Sequence, residues 1–143
     1  MGDHMGQDTD TSIRTIVSVE DDMAMIDLFR LILKMEGFEV LGATNGTAGL
    51  QLIELAKPDL VLLDILMPGM SGWEVYRQMK ADETMRNIPV IVVTCMSEPI
   101  DETMARYIAK VDDYIPKPFS PGKLVESIDK ILGVSERPSQ QQI

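Results

Sequence analysis

The sequence predicts an open α/β domain in which helices cover both faces of a parallel sheet. Short runs rich in β-branched and other apolar residues recur along the chain, as in strands buried on both sides. Between these runs, apolar residues repeat at helical spacing. The two patterns alternate five times, and such alternation calls for parallel strands joined by right-handed crossovers.

The strands are expected at Ile16–Val19, Val40–Ala43, Leu60–Leu63, Val90–Val93 and Tyr114–Ile115. After the first, Met25, Leu28, Phe29 and Ile32 fall at i, i+3, i+4 and i+7, one face of a helix that Gly37 closes as a left-handed stop. A second helix is expected over 45–56, capped by Thr44 or Asn45. Further helices are expected over 71–82 and 99–110. The last carries Leu124, Ile128, Ile131 and Leu132 on one face, with Pro121 in its first turn, where a missing N–H costs nothing. No repeat is evident beyond this alternation. Residues 1–12 are polar, and "GDHM" resembles a cloning remnant; residues 134–143 read as a polar tail or the start of a linker. The domain is placed at 13–133.

The 143 residues suffice for one domain with a real core, and 45% apolar with 25% charged residues is a globular composition. No apolar stretch is long enough for a membrane span, and no signal peptide is evident. The single cysteine, Cys95, leaves no internal disulfide and suits a reducing, cytoplasmic setting. A net charge of −10 with scattered Lys and Arg argues against direct nucleic-acid binding.

In open sheets of this kind, ligands sit beyond the carboxyl ends of the strands. The first strand ends in Glu20-Asp21-Asp22, the third in Asp64, the fourth in Thr94, and the fifth leads to Lys117-Pro118. Taken singly, each feature has a plain reading: acids complement a helix N-terminus, threonine suits strands, lysine is solvated. Asp64 resists such a reading, because it follows the apolar run Leu60–Leu63 directly and an unpaired buried carboxylate is costly. Two carboxylates about 4 Å apart repel by roughly 4 kcal/mol at a surface-like dielectric, so a cation or proton must offset them. All-oxygen ligands select a hard ion, with Mg²⁺ the default, and Thr94 and Lys117 suit phosphoryl oxygens. The combination fits a phosphoryl group beside a nucleophilic carboxylate. The glycine-rich "GATNGTAG" at 42–49 fits neither dinucleotide nor P-loop patterns, since Thr44 replaces the second glycine and no P-loop lysine follows.

Four segments together resemble the receiver domain of two-component response regulators: "VEDD" at 19–22, "PDLVLLDILMPGMSG" at 58–72, "IPVIVVT" at 88–94 and "DDYIPKPF" at 112–119. The resemblance spans essentially the whole domain. It implies a flavodoxin-like (βα)5 fold with strand order 2-1-3-4-5. It implies that Asp64 accepts a phosphoryl group from a phosphohistidine of a sensor kinase or phosphotransfer protein, with Mg²⁺ as cofactor. Asp21 would be the main metal carboxylate, Glu20 its neighbour acting through water, and the backbone carbonyl of Leu66 a third contact. Thr94 and Lys117 would contact the phosphoryl oxygens, and Tyr114 would be the switch aromatic that turns inward with Thr94. The Lys117–Pro118 bond would be cis. Such a domain is a phosphoacceptor rather than a classical enzyme, promoting only its own phosphorylation and slow dephosphorylation. Its helix 4–strand 5–helix 5 surface would switch toward a downstream protein or a missing output domain.

The chain departs from the family pattern at Cys95, at Lys110 where many members have glycine, and at Glu20 where Asp is commoner. Leu66 and Met96 flank the path of attacking water in this family, and both are bulky and apolar here. They imply slow autodephosphorylation, against the plain reading of two exposed hydrophobes. A phosphorylation-independent interaction module on the same fold is the alternative. Intact Asp21, Asp64, Thr94 and Lys117 argue against it. A phosphatase of the haloacid dehalogenase type ranks last, since it wants an Asp where Leu66 stands.

Overall fold

The computed structural model describes residues 13–95 and 102–134. Strands β1 (Arg14–Val19), β2 (Phe38–Ala43), β3 (Leu60–Leu63), β4 (Val90–Thr94) and β5 (Asp113–Pro116) all pair in parallel, in the order β2-β1-β3-β4-β5. Helices α1 (Met23–Lys34), α2 (Gly46–Ala56), α3 (Gly72–Ala81), α4 (Glu102–Ile108) and α5 (Pro121–Leu132) alternate with them. The doubly wound architecture and strand order are those expected. Four strands extend beyond their apolar runs because ladder pairing recruits flanking residues, such as Arg14 beside Phe38 and Asp113 beside Ile91.

The sheet divides the core in two. Ile16, Leu60, Leu62 and Ile91 face α1 and α5, while Val17, Val61, Leu63 and Val92 face α2 and α3. All four residues of β3 are buried, and each such side chain contributes roughly 1.5–3 kcal/mol. This central strand therefore holds its carboxyl end, and Asp64, in a fixed place.

The helices begin where the sequence supplies a cap. Asp22, Asn45, Ser71 and Ser120 each accept a hydrogen bond from a backbone N–H in the first turn of α1, α2, α3 and α5. Gly37 follows α1 at φ 91°, as expected of a left-handed stop, and Gly133 closes α5 at φ 71°. Of the fourth helix expected over 99–110, residues 99–101 lie outside the described residues, and α4 gives way to a turn after Ile108. Lys110 keeps an ordinary negative φ, so the missing glycine needs no left-handed backbone there.

The buried face of α1 differs from the one its spacing suggests. Ile26, Phe29 and Leu33 are buried, Met25 and Ile32 pack at the margin, and Leu28 is 40% exposed. The cause lies in β2: a Cβ at Gly42 would come within 2.6 Å of Ile26 Cγ2, so the glycine admits Ile26 and the helix rolls toward it. Trp73 of α3 stacks on Tyr107 of α4 with ring centroids 5.1 Å apart, and the Tyr76 hydroxyl donates to the Lys110 carbonyl at 3.0 Å. No helix among the described residues is long and apolar enough to cross a membrane.

Candidate functional site: an acidic cleft at the strand ends

The parallel ladder continues one residue past the strands and delivers the polar side chains to one edge. Glu20 N–H donates to the Ala43 carbonyl, Asp64 N–H to Val19, and Lys117 N–H to Thr94, all at 2.9–3.0 Å. Glu20, Asp64, Thr94 and Lys117 therefore emerge side by side from β1, β3, β4 and the end of β5. Lys117 is followed by a cis bond to Pro118, as the resemblance implied.

Asp64 is only 6% exposed and Thr94 is fully buried. The Thr94 hydroxyl donates to Asp64 Oδ1 at 2.7 Å, and the Leu66 backbone N–H donates to the same oxygen at 3.1 Å. Lys117 Nζ lies 3.4 Å from Asp64 Oδ2 and 2.7 Å from Glu20 Oε1. The second oxygen of Glu20 accepts from the Asp22 N–H at 3.1 Å. These donors answer the desolvation of two buried carboxylates that would otherwise stand unpaired.

One ammonium does not satisfy three acids. Burial pushes the Glu20 carboxyl up to about 7, assisted by the negative charge of Asp64 and opposed by its hydrogen bond from Lys117. Burial works against the Lys117 ammonium, yet the hydrogen bond to Glu20 and the charge of Asp64 outweigh it and hold that amine above its ordinary value. Lysine stays charged while Glu20 stands near its protonation point. Carboxylate oxygens of Glu20, Asp21 and Asp64 lie within 4.8 Å of one another, with Asp21 exposed at the mouth. An all-oxygen set of excess negative charge, open to solvent at one side, fits a hard divalent cation.

The loop after Asp64 is set by backbone contact. Met67 and Gly72 N–H groups both donate to the Ile65 carbonyl. A Cβ at position 72 would stand 2.2 Å from the Asp64 carbonyl oxygen, so only glycine lets α3 begin this close to β3.

Residues 16–129 match the family model for the response regulator receiver domain. The chain belongs to that family. This receiver is 38% identical over 130 residues to the phosphate regulon transcriptional regulatory protein PhoB of Pseudomonas aeruginosa, covering 87% of this chain and 56% of that one. It is 37% identical over 120 residues to the polar-differentiation response regulator DivK of Brucella anthropi, covering 84% and 97%. The receiver thus spans about half the length of PhoB and nearly all of DivK. Among solved structures, a CheY-like response regulator receiver domain protein of Methanospirillum hungatei superposes with a TM-score of 0.74 at 34% identity, covering 85% of this chain and 95% of that one. The receiver domain of a Pseudomonas aeruginosa sensor histidine kinase shares the fold at 24% identity and a TM-score of 0.76, covering 85% and 99%; that structure holds a magnesium ion in its active-site cleft. Receivers of this family are signalling domains of two-component systems.

Glu20, Asp21, Asp64, Thr94 and Lys117 meet at this cleft, and Tyr114 is half-buried against the core on the α4 side. Leu66 is 51% exposed beside Asp64, and Cys95 is exposed after Thr94. Met96 lies outside the described residues. Sequence reasoning missed the Leu66 N–H as a partner of Asp64 and the Asp22 N–H as a partner of Glu20. Both are main-chain donors two residues on from the acid they serve, and no side-chain pattern marks them.

Proposed function

We propose that this receiver takes a phosphoryl group onto Asp64 from the phosphohistidine of a sensor kinase or phosphotransfer protein, and that this modification switches a surface formed by α4, β5 and α5. The observation that carries the reading is the constellation at Asp64: a buried carboxylate held by Thr94 and Leu66, faced by Lys117 and flanked by two further acids. Only a ligand that is itself anionic and cation-bridged uses all of these groups at once.

Each residue then has a task. Asp21 and Asp64, with Glu20 acting through water and the Leu66 carbonyl as a further contact, would hold Mg²⁺. When bound, the cation neutralises phosphoryl oxygens and lets an anionic donor approach a carboxylate. Asp64 is the nucleophile. Lys117 moves its contact from the acids to a phosphoryl oxygen, and the Leu66 N–H keeps the carboxylate oriented. Thr94, whose hydroxyl is spent on Asp64 at rest, becomes a donor to the new phosphoryl oxygen. That displacement draws on β4 and leaves space for Tyr114 to turn inward, which shifts the population of the α4–β5–α5 surface. Such a chain works in the cytoplasm, upstream of a partner protein or an attached output domain. The three-acid edge and the net charge of −10 disfavour direct contact with nucleic acid.

The test is intact mass after incubation with acetyl phosphate, with and without Mg²⁺, beside an Asp64→Ala control. The expected result is a gain of one phosphoryl group that requires both Mg²⁺ and Asp64. No gain in folded protein would refute phosphoacceptor function and favour an interaction module.

A further inference from the structure

The last turn of α4 is held to α3 by aromatic contacts. Among the described residues of α4, Met104, Tyr107 and Ile108 are half-buried and none is fully buried. Tyr107 meets two rings of α3: it stacks on Trp73 at 5.1 Å between centroids and touches Tyr76 edge-on at 6.3 Å. The Tyr107 carbonyl accepts from the N–H groups of Lys110 and Val111, which closes the turn leading to β5, and the Tyr76 hydroxyl donates to the Lys110 carbonyl. This grip carries a cost. The indole N–H of Trp73 is buried with no hydrogen-bond partner among the described residues. A stacked aromatic pair and a neutral hydrogen bond are each of the same order as the penalty for such an unpaired donor. Attraction and penalty are of like size, so the joint is poised rather than locked.

We propose that Trp73, Tyr76 and Tyr107 form a detent that holds α4 against α3 at rest, and that switching unstacks Tyr107 and gives the indole N–H to water; this rests on Asp64 taking a phosphoryl group. Tyr107, Val111 and Tyr114 pack against the same half of the core, on the face of the sheet that carries α2 and α3. An inward turn of Tyr114 therefore alters the packing beneath Tyr107, with only the turn at 109–112 between α4 and β5. The start of β5 is tied to β4, because Asp112 N–H donates to the Val90 carbonyl at 3.0 Å and Asp112 Oδ2 accepts from the Val90 N–H at 2.8 Å. The turn that Tyr107 and Tyr76 close is thus the joint between a fixed strand and the helix before it. A switch needs two arrangements of similar free energy. The unpaired indole supplies the second, since the stacking lost on release is offset by the hydrogen bond gained from water.

Trp73 is the only tryptophan of the chain, so its emission reads the joint directly. The full chain is treated with acetyl phosphate and Mg²⁺, and intact mass follows the phosphoryl group. Acrylamide quenching of Trp73 and amide exchange at Ala109, Lys110 and Val111, whose N–H groups bond the Ala105 and Tyr107 carbonyls, are measured on the same samples. Phosphorylation is expected to shift the emission to the red and to speed quenching and exchange by about fivefold, the population change for one contact of this class. Tyr76→Phe removes only the hydroxyl and Tyr107→Leu the stacked ring. With circular dichroism confirming the fold, both exchange faster at rest, and in Tyr107→Leu phosphorylation adds less than about twofold, whereas a merely structural part would leave its full effect in place. A phosphorylated chain with unchanged quenching and exchange overturns the proposal, as does a Tyr107→Leu chain in which phosphorylation still adds the whole effect. A chain that gains no phosphoryl mass refutes the reading of Asp64 instead; the resting comparison then decides alone, and exchange in Tyr76→Phe equal to wild type overturns the detent.

Discussion

Replacing Glu20 with glutamine should remove part of the pH dependence of stability in the metal-free protein. In the native state the Glu20 carboxyl is pushed up to about 7 from an ordinary value of 4.5, first by burial. Between those values the folded chain keeps a proton that the unfolded chain has lost. Stability from this group is therefore fully present below about pH 4.5 and is lost as pH rises through about 7. A displacement of roughly 2.5 pH units corresponds to at most about 3 kcal/mol. Urea unfolding of wild type and Glu20→Gln in EDTA, at intervals from pH 5 to pH 8.5, isolates it, because other titrating groups cancel in the difference. Wild type should lose about 1–3 kcal/mol relative to the variant over that range. Saturating Mg²⁺ should remove this relative loss, since a cation replaces the proton as the partner of the acids and stabilises the folded state by mass action. Parallel profiles for the two proteins without metal would show that Glu20 ionises as an ordinary carboxylate, and the electrostatic account of the cleft would be wrong.

Gly72→Ala drives a methyl group to 2.2 Å from the Asp64 carbonyl oxygen and should cost about 2–4 kcal/mol by urea unfolding; an unchanged midpoint would mean the start of α3 is free to yield. Ser18 lies buried in β1 with a hydroxyl that has no hydrogen-bond partner among the described residues, so Ser18→Ala should stabilise the fold by about 1 kcal/mol, and a loss of that size would reveal a partner. Leu66→Asn combined with Met96→Glu should shorten the phosphoryl lifetime on Asp64 by roughly tenfold or more, followed as loss of the phosphorylated mass; an unchanged half-life would remove any part for these two side chains in excluding water.

Much of this was readable in the chain because parallel sheets announce themselves. Leu60–Leu63 can be little other than a central strand, and the acid that follows it has to be at the carboxyl edge. The order of Glu20, Asp64, Thr94 and Lys117 along the sequence then fixes their convergence, given right-handed crossovers. What stayed hidden depends on side-chain contacts across elements. Leu28 looks as good a core residue as Ile26 by spacing alone, and only the void above Gly42 decides between them. The sharing of Lys117 between Glu20 and Asp64 was equally beyond reach, because periodicity locates a side chain without saying which of two acids it touches first.

The glycine contact at position 72 gives the cleft a grain. On the side of α3, Asp64 is backed by closely packed main chain, and α2 is seated nearby with Gly46 against the Met70 side chain and Gly49 against that of Val19. Toward β4, it meets one hydroxyl, that of Thr94. The surroundings of the carboxylate are thus lopsided: close-packed main chain on one side, and on the other a side-chain hydrogen bond from Thr94. A change at Asp64 that breaks the Thr94 hydrogen bond would be felt first on the β4 side, away from the close glycine contact at position 72.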